Sequence, residues 1–182
     1  MEAAEFELFD RSVGAATEAH SGPALDTALV DLGWHEAMTN DPHAAISVLF
    51  EHQGRVLSTS SALDDVVAGA LRTDTDPGTA VVLPGLGRAE PPARQDGGRF
   101  EVRGLGTARL LRADMALAVA HGADPPVAAL LKTSELRPQP LRGMDPGLGL
   151  AELFGAATPA APTSQLAAGT WHEAVARARL AV

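Results

Sequence analysis

A change of period partway along the chain constrains its fold more than any other feature. Up to Leu71, apolar residues recur at every third or fourth position. From Thr79 onward they come in short runs that alternate with polar residues or end at Gly, Pro and Asp. The first pattern marks one face of a helix, the second marks short strands. Between them lies TDTDPG (73 to 78), where aspartates, Pro77 and Gly78 make a turn cluster.

The helical part divides by its capping signals. Phe6, Phe9, Val13 and Ala16 share a face of the first segment. In the second, Ser21 is a candidate cap, Pro23 suits a first turn and Gly33 is placed to end the helix. Asp41 as N-cap with Pro42 behind it opens a third, whose face carries Ile46, Leu49, Phe50, Gln53 and Leu57. SALDDVVAGALR reads as a further helix with Ser61 and Asp64 in its cap region.

Beyond the turn cluster, TAVVLP, GRFEVRG, TARLLRA, MALAVA, PVAALLKT and AELFGA each have strand length. In RFEVRG, Phe100 and Val102 face opposite to Arg99, Glu101 and Arg103. AATPAAPTSQ (156 to 165) is a connection, and GTWHEAVARARLAV starts a last helix with Thr170 as cap and Glu173 as its capping-box partner. Val175, Ala178 and Ala181 follow on one side, and an exposed apolar face over residues 174 to 182 is expected to mediate association. The expected class is α+β: a helical domain over 1–76, an antiparallel β-barrel or sandwich over 77–158, and a linker with one terminal helix over 159–182.

Charge and composition remove whole classes of function. The 182 residues suffice for a core without a disulfide or metal staple. The chain has no Cys, which excludes thiolate zinc sites and cysteine nucleophiles. There are 14 basic against 23 acidic residues, a net charge of −9, and a single lysine, Lys132. That balance, with no basic stripe, argues against nucleic acid and against an anionic membrane surface. No stretch approaches the ~18 apolar residues of a membrane span. MEAAEFELFDR is acidic where a signal peptide would be basic and then apolar, so a soluble cytoplasmic protein is expected.

Motifs that carry chemistry are few. PGLGRAEP and RGLGTARL each hold G-x-G without a third glycine, and neither runs into a helical pattern. A dinucleotide fingerprint needs strand, loop and then helix N-terminus, so turn glycines account better for both. HEAMT and HEAVA lack the second histidine that a zinc helix needs four residues on. His43 and His52 are nine positions apart, not on a common turn, and His20 and His121 fall in expected loops. Ser58, Ser60 and Ser61 stand near the pair Asp64 and Asp65, for which helix capping is a sufficient reason. Asp74 and Asp76 lie in a turn, where aspartate is expected on local grounds.

Taken in order, however, several stretches resemble the acyl-CoA dehydrogenase family. ALVDLGWHEAM and ISVLFEHQGRVLSTSSALDDVVAGAL are similar to its N-terminal helices, with Phe50, Glu51, Gly54 and Arg55 at matching spacing. DGGRFEVRGLGTARLLRADMALAVA resembles the hairpin of its middle domain. LRPQPLRGMDPGLGLAELFGAA resembles a strand pair around Met144, Asp145 and Pro146, and EAVARARLAV is similar to the first helix of its C-terminal bundle. The likeness runs from residue 28 onward.

The resemblance implies a helical domain, a β-barrel and a C-terminal bundle that together hold FAD and an acyl-CoA-type ligand. It also implies α,β-dehydrogenation, with a glutamate base taking the α-proton and flavin the β-hydride. The family's flavin loop, T-E-P-x-x-G-S, falls on residues 82 to 88, which makes Val82, Pro84, Gly87 and Arg88 the candidate cofactor-binding residues. Pro84 and Gly87 keep the family residue. Val82 and Arg88 replace the threonine and serine whose hydroxyls contact the cofactor, leaving backbone N–H groups as the remaining ligands. Arg88 is open to two readings, a pyrophosphate partner or a surface arginine. A second flavin element falls near Arg109, Leu110, Leu111 and Arg112 without its Trp or Thr/Ser.

The family's catalytic glutamate lies in the C-terminal bundle, beyond the single helix expected here. The resemblance therefore implies a component that dehydrogenates only with a partner chain, in a homo- or hetero-oligomer with an acyl-CoA dehydrogenase-family chain. The alternatives are a non-catalytic structural or regulatory subunit and a small-molecule binding protein on the same fold.

Overall fold

The structure, a computed structural model, describes residues 3–73, 75–122, 124–142 and 146–180. Asp74, Met144, Asp145 and Ala181, singled out above, lie outside them. The chain divides into two compact units, one formed by residues up to Ala62 and the other by Leu63–Arg179.

The first unit holds four helices, α1 (Ala3–Ala19), α2 (Pro23–Asp31), α3 (Trp34–Asn40) and α4 (Pro42–Val56). Asp41 caps α4 as its sequence demands, its Oδ1 accepting the Ala44 N–H at 3.2 Å with Pro42 at the first helical position. Gly33, at φ 80°, takes the left-handed turn between α2 and α3, a conformation that side chains resist. Ser21 does not cap α2. Its hydroxyl accepts the Thr59 N–H at 2.9 Å instead, and Gly22 stands at the cap position. Leu57 also departs from expectation: it ends α4 in the left-handed conformation, leaves the helical register and is 87% exposed.

Val13, Leu25, Leu29, Trp34 and Leu49 are buried in this unit. α1 and α4 run close together where Gly14 faces His52; a Cβ on Gly14 would stand 2.8 Å from the ring. Past that glycine, His52 Nε2 reaches Asp10 Oδ1 at 2.9 Å.

The second unit contains α5 (Ala62–Leu71), a sheet and α6 (Thr170–Leu180). The strands are β1 (Ala80–Val81), β2 (Ala93–Asp96), β3 (Arg99–Thr107), β4 (Met115–His121), β5 (Val127–Lys132), β6 (Leu136–Pro140), β7 (Leu150–Ala157) and β8 (Ser164–Gln165). They form one sheet in the order β6-β7-β3-β2-β4-β5-β8, with β1 also paired to β4. The α+β class stands as read from the sequence. The sheet is mixed and does not close into a barrel: β1 and β2 both run parallel to β4, and the remaining pairs are antiparallel. Pro138 and Pro140 sit in β6, at one end of the strand order, where a missing N–H costs no ladder bond.

Alternation gives the sheet two apolar faces. The inner one gathers Val82, Phe100, Val102, Leu110, Leu131 and Leu153 with a row of alanines from β4 and β5. On the outer face, Val81, Leu117, Val119 and Ala128 are covered by Val67, Ala70 and Leu71 of α5 and by Trp171 and Ala174 of α6. Val175 and Ala178 pack on the same cluster. Of the association face expected over 174 to 182, Ala174, Val175 and Ala178 are thus packed within the chain's own second unit rather than exposed.

TARLLRA, expected as a strand, is instead a 3-10 turn, Ala108–Leu111. The Thr107 hydroxyl accepts the Arg109 N–H at 3.2 Å and starts the turn. Leu110 then drops into the inner core while Arg109 swings toward α5.

Candidate functional site

β1 and β2 occupy the same seam of the sheet, between β3 and β4. Val81 faces Leu117 and Ala93 faces Ala120, so twelve residues of chain advance against three on β4. On the other side Leu83 pairs with Leu105 and Ala93 with Val102. One strand is therefore interrupted, and the surplus, residues 84 to 92, leaves the sheet as a loop and re-enters it.

The roots of the loop are tight. Leu83 and Leu105 exchange both backbone hydrogen bonds, at 2.6 and 2.9 Å, and the Arg103 N–H donates to Pro92 O at 2.9 Å. β3 can approach this closely because Gly104 carries no side chain; a Cβ there would lie 2.3 Å from Leu83 O. A Cβ on Gly106 would meet Leu110 Cδ1 at 2.3 Å and Val81 O at 3.0 Å. The glycines of RGLGT thus serve close packing, and the loop returns to a strand, so neither G-x-G stretch opens a dinucleotide helix.

At the tip, the Arg88 N–H donates to Gly85 O at 3.0 Å and Gly87 has φ 75°. Glycine is thus at the position where a type II turn needs positive φ. Leu86, beside it, is 82% exposed. Behind the loop, Trp171 Nε1 of α6 donates to Ala89 O at 2.8 Å, with the indole 2% exposed.

The loop forms one wall of a cleft of about 800 Å³. β2, β3 and β7 supply its floor, with Arg94, Arg103, Leu105 and Phe154 among the lining side chains, and Glu101 and Glu152 line it too. Of the residues marked in the sequence, Pro84 and Arg88 line the cleft. Gly87 makes the turn between them. Val82 is not with them: it is fully buried in the inner core, and its N–H donates to Leu117 O at 2.9 Å.

The segment matching the second flavin element is tied into α5. Arg109 forks onto Asp65, Nη1 to Oδ1 at 2.6 Å and Nη2 to Oδ2 at 3.3 Å, and its Nε lies 3.6 Å from Asp64 Oδ2. The Thr107 hydroxyl donates to the same Asp64 oxygen at 2.7 Å. Asp64 is fully buried, and burial pushes its carboxyl up to about 7. The Arg109 charge and the Thr107 hydrogen bond pull the other way, while Asp65 adds to the rise. The aspartate pair of SALDD stands inside the first turn of α5 and binds Thr107 and Arg109, a role that composition could not reveal, because these partners lie more than forty positions away. Among the described residues no cluster of His, Asp and Glu has the make-up of a metal site. No helix among them is long and apolar enough to cross a membrane.

No protein-family model matches the chain. No curated protein sequence matches it either. Solved structures do. The chain is similar to the ChsE4-ChsE5 complex from Mycobacterium tuberculosis at 17% identity and TM-score 0.65, over 100% of this chain and 63% of that one. It is similar to a variant of the Tcur3481-Tcur3483 steroid ACAD at 20% identity and TM-score 0.69, over 98% of this chain and 61% of that one. A glutaryl-CoA dehydrogenase from Mycobacterium smegmatis in complex with FADH2 matches at 12% identity and TM-score 0.62, over 100% of this chain and 61% of that one. The chain thus spans about three-fifths of the length of each. At these identities the likeness shows the fold, that of the N-terminal and middle domains of acyl-CoA dehydrogenases.

Proposed function

We propose that the chain is a component of a flavin-dependent acyl-CoA α,β-dehydrogenation system, cytoplasmic and serving fatty-acid-type substrates, that works with a partner chain of the same fold. The observation that carries the reading is the interrupted strand. Its loop keeps the proline and the positive-φ glycine of the family's flavin turn and walls a cleft of a size suited to a small molecule. Two of the structures it resembles are named as pairs, ChsE4-ChsE5 and Tcur3481-Tcur3483, which supports a partnered assembly.

The cleft sets three arginines beside three glutamates, Glu90, Glu101 and Glu152, so a diphosphate would rest on the arginines and not on an overall positive charge. Arg88, Arg94 and Arg103 line the cleft, and they would face the diphosphate of FAD. The 85–88 turn would offer backbone N–H groups where side-chain hydroxyls are missing. When bound, the flavin supplies a hydride acceptor. This chain's own share is to hold the cofactor, exclude water on the loop side and leave proton abstraction to a carboxylate of the partner.

A second reading has its own support. Val82 is turned into the core and Arg109 is bound to Asp65, so neither flavin-motif position presents a side chain to the cleft. A non-catalytic subunit that keeps the fold for association would have that character.

One experiment separates the two. The protein is purified without added cofactor, then mixed with FAD and dialysed, and its visible absorption is recorded at each step. The component reading expects a flavin band that survives dialysis and is lost in the double variant Arg94→Gln, Arg103→Gln. A colourless protein throughout refutes it in favour of the structural subunit.

A further inference from the structure

We infer that Trp171 is the positioning residue of the 84–92 loop, so that the seating of α6 on the sheet sets the wall of the cleft. The inference rests on the reading of that loop as a ligand loop. The loop presents its two sides differently. Arg88 and Glu90 line the cleft; Ala89, between them, does not, and its carbonyl turns to the Trp171 indole at 2.8 Å. The loop is therefore held between the cleft on one side and the start of α6 on the other.

What fixes the indole is not the loop. Trp171 packs with Leu117, Val119, Leu166 and Ala174 on the outer face, so its N–H has one direction set by a buried ring. Residues 86 to 90 are exposed and have no apolar anchor of their own. A loop of this kind, left unheld, samples many conformations and has to be ordered by its ligand. Trp171 orders it beforehand, which is the means by which preorganisation raises affinity. The linkage is reciprocal: a ligand that stiffens the loop also strengthens the seat of α6.

Trp171→Phe tests this, because it keeps most of the buried ring and removes the donor. Amide hydrogen exchange is followed over residues 85 to 90 in both proteins without ligand. We expect exchange in the loop to rise tenfold or more in the variant, with β4 and β5 unchanged. Equal loop exchange in the two proteins overturns the inference. If the variant does not fold, the indole N–H of the unmutated protein decides: slow exchange supports the bond, and exchange at the rate of a free indole overturns it.

A FAD titration of both proteins adds a readout that a purely structural role would not move. Tenfold weaker binding in the variant at unchanged melting temperature is the expected outcome, and equal affinity counts against the coupling. Should neither protein bind FAD, the flavin reading falls, while the exchange result still decides the role of Trp171.

Discussion

Asp64→Asn isolates a buried group whose titration is strongly shifted. Asp64 is fully buried beside Thr107 and Arg109, and its carboxyl rises from 3.8 to about 7. The folded protein therefore holds this proton more tightly than the unfolded chain does. Stability from this group is fully present below pH 3.8, declines as pH rises, and is lost once pH passes about 7. Roughly three pKa units at 1.36 kcal/mol each give about 4 kcal/mol for the full swing, an order-of-magnitude figure. Because part of the swing falls below pH 5, about 2 to 3 kcal/mol should be lost between pH 5 and pH 8. Asparagine keeps the shape and cannot titrate. Urea unfolding of both proteins at pH 5, 6, 7 and 8 should show the wild type losing stability relative to the variant by about that amount. Parallel pH profiles would refute the reasoning, because they would mean that the ionised carboxylate is as well accommodated inside as in water.

Two other substitutions test the packing around the site. Arg109→Met removes the guanidinium fork from Asp64 and Asp65 and should cost about 3 kcal/mol in urea unfolding at pH 7; a loss under about 1 kcal/mol would show that the fork contributes little. Gly104→Ala places a Cβ 2.3 Å from Leu83 O, a backbone atom that cannot turn aside. It should cost about 1 to 3 kcal/mol and speed hydrogen exchange at the Leu105 amide, and unchanged stability would mean that β3 moves freely from the loop root.

What could be read from the sequence followed from whether a residue's neighbours in space are also its neighbours along the chain. Phe100 and Val102 alternate with charged residues because one face of β3 meets the core and the other does not, so the strand shows in the text. Asp41 and Pro42 cap from within four residues, and they too are legible. β2 was hidden because only Ala93 of its four residues is buried, and a strand held by its pairings carries little apolar signal. TARLLRA has strand-like spacing, yet Arg109 answers to Asp65 and Leu110 to the inner core, which local pattern cannot register. At the candidate site, Pro84, Gly87 and Arg88 were marked by resemblance. The floor formed by Arg94, Arg103 and Phe154 could not be, since it exists only once β2, β3 and β7 lie side by side.

The interrupted strand also has a consequence for how this region can vary. Both ends of the 84–92 segment are locked into one seam, so the pairing of β3 with β4's neighbours is set by Leu83 and Ala93 and not by what lies between them. Length and chemistry in between are free to drift without shifting the register of any strand. Such a segment behaves as an exchangeable cassette: a foreign peptide spliced between Pro84 and Pro92 would be displayed with both its ends clamped, and the frame that grips it would not need to be rebuilt.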